Sequence, residues 1–346
     1  MGTALRAGII GSGNTGRLHA QGYLHAGATV ACCAGQGGER ARALAATYGC
    51  DWTDNYRRLL ERSDIDVVSV CTPTWTHQEI ALAVLAAGKH ILCEKPITQG
   101  PAACAPLVRM VASTGLTFQA GYMKWHHPLT QRLVELVAQI QPLQTARVRT
   151  YYPVPLERWE RLQLTRDRQG GGALMLSGSH ILAVQCLLLG YPLQAMPMMN
   201  WQPTLTGIDR YTAALFRQPD GVIVSFEAGW LPLTNVGIDH TGWEEIIELN
   251  GAGGRLEIHY PWWNRTETSA ARLLLHSNAD GQTHEFHATP ASQFDAEVAA
   301  FVRAVEGGQP PTPSVIDAYR IHALIDQLYA AGTREQAVTF DYGLPG

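Results

Sequence analysis

The residues whose types and spacing suggest chemistry begin close to the N-terminus. Gly11-Ser12-Gly13-Asn14-Thr15-Gly16 follows the apolar run Ala7-Gly8-Ile9-Ile10 and opens a segment with helical patterning. In that context G-x-G-x-x-G is a phosphate cradle. Gly11, Gly13 and Gly16 permit a tight turn and a close backbone approach, and the free N–H groups of the helix start, at Asn14 and Thr15, favour an anion such as a pyrophosphate. The expected cofactor is NAD or NADP. The stretch Ala31-Cys32-Cys33-Ala34-Gly35-Gln36-Gly37-Gly38 lacks the Asp or Glu that would hold the ribose hydroxyls of NAD, and nothing in it repels a 2′-phosphate. Gln36 suits a ribose and Arg40 or Arg42 suits a phosphate, so the choice between the two cofactors stays open.

Two further blocks fall at expected carboxyl ends of strands, where open α/β sheets bind ligands. Cys71-Thr72-Pro73-Thr74-Trp75-Thr76-His77 leads into a helix, and Glu94-Lys95-Pro96 closes a strand after Gly88-Lys89-His90. Farther on, Arg158-Trp159-Glu160-Arg161 and Arg166-Asp167-Arg168 precede a triple glycine. Arginine forks suit a carboxylate, phosphate or sulfonate, and a Trp face suits the apolar side of a sugar ring. Arg158, Trp159, Arg161 and Arg166 are therefore candidate substrate contacts, with a solvated loop as the alternative. His259-Tyr260-Pro261-Trp262-Trp263 reads as a rim or subunit contact. The thirteen histidines show no metal-ligand spacing with acids or cysteines, so no metal is expected.

The elements that must position these residues fall into two groups. From Leu5 to about Phe118, strand-like runs (5–10, 29–33, 67–71, 90–93, 116–120) alternate with helical patterns such as 78–87, which implies a doubly wound parallel sheet. After Tyr122 the pattern gives a helix near 129–140, a strand at 147–152, and a helix from about Gly172 to Leu189. Alternating strands at 222–230, 245–249 and 254–259 follow, then helices at 292–305 and 314–330. The expected fold is α/β: a dinucleotide-binding domain at 1–121, and a second α/β domain at 122–346 with an open, mostly antiparallel sheet, its C-terminal helices free to pack back on the first domain. A net charge of −4 with scattered basic residues disfavours nucleic-acid binding. The longest apolar stretch, Ile181–Leu189, reads as too short to cross a bilayer. Seven cysteines without a C-x-x-C pair suit reduced thiols and a cytoplasmic protein.

GIIGSGNTG, CTPTWTH, AAGKHILCEKP, AGYMKWHHP and GGGALMLSGSH occur in this order; the sequence resembles the Gfo/Idh/MocA oxidoreductases, strongly to about Gly190 and by pattern beyond. The resemblance implies that Lys95 touches the substrate hydroxyl and the nicotinamide ribose, that Glu94 and Pro73 shape the cofactor pocket, and that Thr72 and His77 lie nearby. It puts Tyr122, Met123 and Lys124 near the nicotinamide or substrate, with Lys124-Trp125-His126 departing from a frequent arginine. His180 matches the catalytic histidine, which takes a hydroxyl proton as hydride leaves the same carbon. An acid usually stands four residues before it. Here that residue is Leu176, so a proton relay would use Ser177, Ser179, water or an acid from elsewhere, such as Asp167. The implied protein is a homodimer or homotetramer that oxidises a secondary hydroxyl of a sugar, sugar derivative or cyclitol. A redox-neutral glycosidase, working by oxidation, elimination, hydration and reduction, is one alternative. A non-catalytic dinucleotide and sugar sensor is another.

Overall fold

The computed structural model describes residues 4–154, 157, 160, 165–263, 271–288 and 292–344. The chain divides into two compact units: Met1–Met123 with Phe294–Arg320 and Leu344–Gly346, and Lys124–Gln293 with Ile321–Gly343. The division differs from the expected one at 121/122 by two residues, and it assigns 294–320 to the first unit.

In the first unit, strands β1 (Arg6–Ile10), β2 (Thr29–Ala34), β3 (Asp51–Thr53), β4 (Val67–Val70), β5 (His90–Glu94) and β6 (Phe118–Gly121) form a sheet in the order β3-β2-β1-β4-β5-β6. All its pairings are parallel. Helices α1 (Asn14–His25), α2 (Glu39–Tyr48), α3 (Tyr56–Leu60), α4 (Thr74–Ala86) and α5 (Pro101–Thr114) make the crossovers. Central strands are covered on both faces, which is why Val67–Val70, apolar but for Ser69, and Ile91–Cys93 read as apolar runs and are wholly buried. The strand order reverses between β1 and β4, and a ligand crevice opens at such a switch point. The core joins Ile9, Tyr23, Val30, Cys33 and Leu92 to Val298, Phe301 and Val302 of helix Gln293–Gly307.

The second unit holds helix α6 (Pro128–Leu136) and nine strands: β7 (Leu143–Tyr152), β8 (Gln194–Trp201), β9 (Asp209–Arg217), β10 (Ile223–Trp230), β11 (Glu244–Gly251), β12 (Gly254–Tyr260), β13 (Arg272–Ser277), β14 (Thr283–His287) and β15 (Val338–Thr339). Their order is β14-β13-β12-β11-β7-β10-β9-β8-β15. Among these, β7 and β10 pair in parallel and the other pairings are antiparallel. Burial alternates along β10 and β11, as it does when only one face of a sheet is covered. Helix Ser179–Leu189 lies against β7 and β11.

The segment Arg166–Leu189 is longer and more apolar than Ile181–Leu189 alone suggested. An 18-residue window within its 24 residues reaches a mean hydropathy of 1.7, enough by length and composition to cross a membrane, yet 78% of that window is buried inside the protein. Burial at that level is what a core helix requires.

Candidate active site

The cradle of the first unit is built from backbone. A cleft of about 650 Å³ is lined by Gly11–Gly13 after β1, Gly35 and Gln36 after β2, Asp54–Tyr56 after β3, and Cys71–Pro73 after β4. Its three motif glycines are each required for a different reason. Gly11 has φ +105°, and a Cβ there would lie 2.5 Å from the Cys71 carbonyl. A Cβ on Gly16 would lie 2.0 Å from the Gly11 oxygen, whereas one on Gly13 meets nothing within 4 Å among the described residues. That open space stands at the N-terminus of α1, whose N-cap position supplies no side-chain hydrogen bond. Unsatisfied N–H groups facing empty volume fit a dinucleotide pyrophosphate. Asn14, Thr15 and Gly16 form the first turn of α1.

Of the other cofactor candidates, Gln36, Thr72 and Pro73 line the cleft, as does Arg40. Asp54 also lines it; the sequence reading missed it because it follows β3, a strand of three residues. No periodicity can show in so short a run. The His77 ring, 1% exposed, faces the Pro96 carbonyl through Nδ1 (2.8 Å) and the Thr72 carbonyl through Nε2 (2.6 Å). It staples the loop after β4 to the turn after β5. Burial lowers its pKa, against the two carbonyls that favour the charged ring; an uncharged ring donates to only one of them.

At that turn the half-buried Lys95 donates its backbone N–H to Glu94 Oε2 (3.1 Å). The other oxygen, Oε1, lies 3.1 Å from His19 Nε2. His19, Glu94 and Glu297 offer ligand-type atoms that all lie within 4.8 Å of one another. Spacing could not have shown this, since the three come from α1, β5 and a helix near the C-terminus.

In the second unit, the triple glycine runs into a π-helical turn, Ala173–Gly178, and then helix Ser179–Leu189, which carries the buried His180. Asp209, fully buried at the start of β9, organises this entry. It accepts the N–H of Gly172 (2.9 Å) and of Leu174 (2.8 Å), and the hydroxyls of Tyr329 (2.5 Å) and Thr212 (3.0 Å). Burial pushes its carboxyl pKa up while these four donors pull it back. No sequence signal marked Asp209, whose partners are distant along the chain. Leu176, where an acid was looked for, packs against Trp230, Ile208 and Leu205. Ser177 accepts the Trp230 indole N–H at 3.0 Å. Asp167 is exposed on the short helix Arg166–Gln169.

Tyr122 and Met123 are buried just past β6. Lys124, expected near substrate, is instead sealed and paired: its ammonium is 2.5 Å from Glu245 Oε2 and 4.5 Å from the Tyr260 ring centroid, with both charged side chains at most 1% exposed. A buried carboxylate and an aromatic face together compensate its desolvation. His126 is partly exposed in the 3-10 turn Met123–His126. Arg166 pairs with Asp326 at 2.7 Å and lies over the Tyr329 ring, so its guanidinium is engaged within its own unit. Arg158, Trp159 and Arg161 lie outside the described residues.

Residues 5–122 match the family model of the Gfo/Idh/MocA oxidoreductases, described as an oxidoreductase family with an NAD-binding Rossmann fold. A dTDP-3,4-didehydro-2,6-dideoxy-alpha-D-glucose 3-reductase of Streptomyces violaceoruber is 30% identical over 275 residues, 79% of this chain and 76% of that protein. A D-xylose 1-dehydrogenase (NADP(+)) 2 of Haloferax volcanii is 25% identical over 288 residues, covering 83% and 84%. Among solved structures, levoglucosan dehydrogenase in complex with NADH has the same fold, with a TM-score of 0.83 and 19% identity over 98% of this chain and 100% of that one. With its glycine cradle, switch-point cleft and relatives of this kind, the chain belongs to the Gfo/Idh/MocA family and is a nicotinamide-dependent, dehydrogenase-type enzyme.

Proposed function

We propose that this enzyme oxidises or reduces a secondary hydroxyl of a sugar, sugar derivative or cyclitol. The observation that carries the reading is the dinucleotide-shaped cleft at the switch point of the first unit, joined to relatives whose names specify sugar chemistry. Bound there, the dinucleotide supplies the hydride acceptor or donor. His180 takes or returns the hydroxyl proton, a task suited to an imidazole whose unperturbed pKa is near neutrality. Lys95 stabilises the oxygen as negative charge develops on it. Both assignments rest on the motif order in the sequence. The second unit's open sheet face carries Met196, Met198, Leu215 and Ile223 at 37–74% exposure, an apolar patch that supports assembly as a homodimer or homotetramer.

A panel of sugars, sugar acids and cyclitols, read by absorbance of the reduced nicotinamide, tests the proposal. Turnover on a panel member is expected, with His180→Ala lowering kcat by about 10²–10⁴-fold. Aglycone release at constant reduced cofactor would favour the redox-neutral glycosidase, and binding without turnover a sensor. Arg40 and Asp54 both line the cleft, and their chemistry suits a 2′-phosphate and a ribose hydroxyl respectively. Arg40→Ala therefore weakens NADP about tenfold, the loss expected for one charge-assisted bond, and leaves NAD unchanged.

A further inference from the structure

Under the turn that carries Lys95 lies a closed polar cluster that the proposed chemistry does not use. His19 and Glu297 are fully buried and Glu94 is 9% exposed. Ser69 Oγ is 3.0 Å from His19 Nδ1 and 3.0 Å from the Tyr23 hydroxyl. One arrangement lets every donor in the series act: the Tyr23 O–H donates to Ser69, the Ser69 O–H to His19 Nδ1, and the His19 Nε2–H to Glu94 Oε1 at 3.1 Å. Glu94 spends its second oxygen on the Lys95 N–H. Its carboxylate is thus held on one side by His19 and supports the Lys95 backbone on the other.

We propose that His19 is a positioning residue for Lys95, fixing the Glu94 carboxylate against which the Lys95 backbone rests, with Glu297 the uncharged neighbour that leaves this bond undisturbed. The inference depends on the reading of Lys95 as the partner of the reacting hydroxyl. Glu297 contributes by being uncharged. Its Oε2 is 3.9 Å from His19 Nε2, and neither of its oxygens has a hydrogen-bond partner among the described residues. Two carboxylates this close in a sealed space do not both ionise. Burial and the charge of Glu94 push the Glu297 carboxyl well above the usual range, so Glu297 keeps its proton. Glu297 then fills the site beside His19 without drawing the Nε2–H away from Glu94.

The same three side chains raise the question of a metal. Tetrahedral zinc with bonds of about 2.0–2.1 Å spaces its ligands roughly 3.3–3.4 Å apart. Here His19 and Glu94 stand at 3.1 Å, a hydrogen-bond distance, and the remaining Glu94 oxygen is taken by backbone. A proton rather than a cation accounts for the geometry.

The test compares His19→Phe, His19→Gln and Glu297→Gln in the full chain. Two readouts are used: hydrogen exchange of the Lys95 amide, and kcat against KM on the substrate that the panel identifies. His19→Phe removes the donor to Glu94 and should speed exchange of the Lys95 amide at least tenfold and lower kcat about tenfold, with KM within about threefold. His19→Gln, which keeps an N–H donor, should recover most of both. Glu297→Gln, the uncharged isostere, should match the wild type and leave the pH profile of kcat unmoved. Unchanged exchange and kcat in a folded His19→Phe protein overturn the proposal. So does a tenfold loss in Glu297→Gln, which stays informative if His19→Phe does not fold. One equivalent of transition metal in the purified protein, measured by plasma emission, also overturns it. Lys95→Ala separates this inference from the reading beneath it: full activity there removes the role of Lys95 itself, whereas inactivity there beside an active His19→Phe removes only the positioning role.

Discussion

Two of the glycine-rich turns that open helices in this protein, one in each unit, leave out side chains for opposite purposes. At Gly13 the missing side chain leaves space, with nothing among the described residues within 4 Å of where a Cβ would stand. At Gly171 and Gly172 the space is already filled: a Cβ on the first would lie 2.1 Å from the Tyr329 hydroxyl, and on the second 2.1 Å from the Asp209 carbonyl. The first turn is shaped for a ligand and the second for the protein's own packing. A run of glycines says only that a backbone must come close to something; the neighbouring atoms say to what.

Exchanging the two uses should produce the largest effect. Gly13 has φ −83°, which any residue adopts, so Gly13→Val should fold normally and fill the pyrophosphate space. A loss of dinucleotide affinity of at least about 100-fold, by calorimetry, is expected; unchanged affinity in a folded variant would end the reading of the cleft. Gly172→Ala should do the reverse, failing to fold because backbone atoms of Asp209 cannot yield.

A smaller effect is expected at the acid that holds the second turn. Asp209→Asn replaces an acceptor by an amide N–H at one of two buried backbone donors and should cost about 2–4 kcal/mol of stability. The turn leads into the helix of His180, so kcat should fall while dinucleotide affinity in the first unit holds. Urea unfolding and dinucleotide titration on the same preparation check both halves. Equal losses in the two units would dissolve the distinction between them.

The smallest effect concerns pH. His127 accepts the Leu129 N–H through Nδ1 at 3.1 Å, capping α6, and burial, reinforced by the nearby Lys124 charge, lowers its pKa to about 4. Because the folded value lies below the unfolded one of about 6.5, the unfolded state binds more protons between them. Stability is therefore lost as pH falls from about 6.5 toward 4, by on the order of 2–3 kcal/mol. His127→Asn, a cap that does not titrate, should flatten the curve of Tm against pH in that range. An unaltered slope would assign the acid sensitivity to other groups.

How much of this was readable in the sequence follows the same contrast. Gly11, Gly13, Gln36, Thr72 and Pro73 were legible because the first cradle is made from contiguous backbone at strand ends, and the spacing along the chain is the geometry. β3, β8, β9, β13 and β14 were not read as strands: β3 has three residues, and β8 contains Pro197. The sealed pairing of Lys124 was not legible, because Glu245 and Tyr260, which close around it, are far away in sequence. Asp209 and Glu297 were invisible for the same reason. Each draws its meaning from partners that only folding supplies.

The segment 294–320 gives the order of synthesis a consequence. Val298, Phe301 and Val302 complete the core around Tyr23 and Val30, and a Cβ on Gly22 would lie 2.8 Å from the Val298 side chain. The ribosome finishes β6 long before it reaches these residues. Until it does, the nascent dinucleotide unit exposes an unfinished apolar face and lacks the Glu297 that sits beside His19. A chain whose translation stops early therefore carries the complete glycine motif without the means to stabilise it, and is left to chaperones and proteases rather than persisting as a stray cofactor binder.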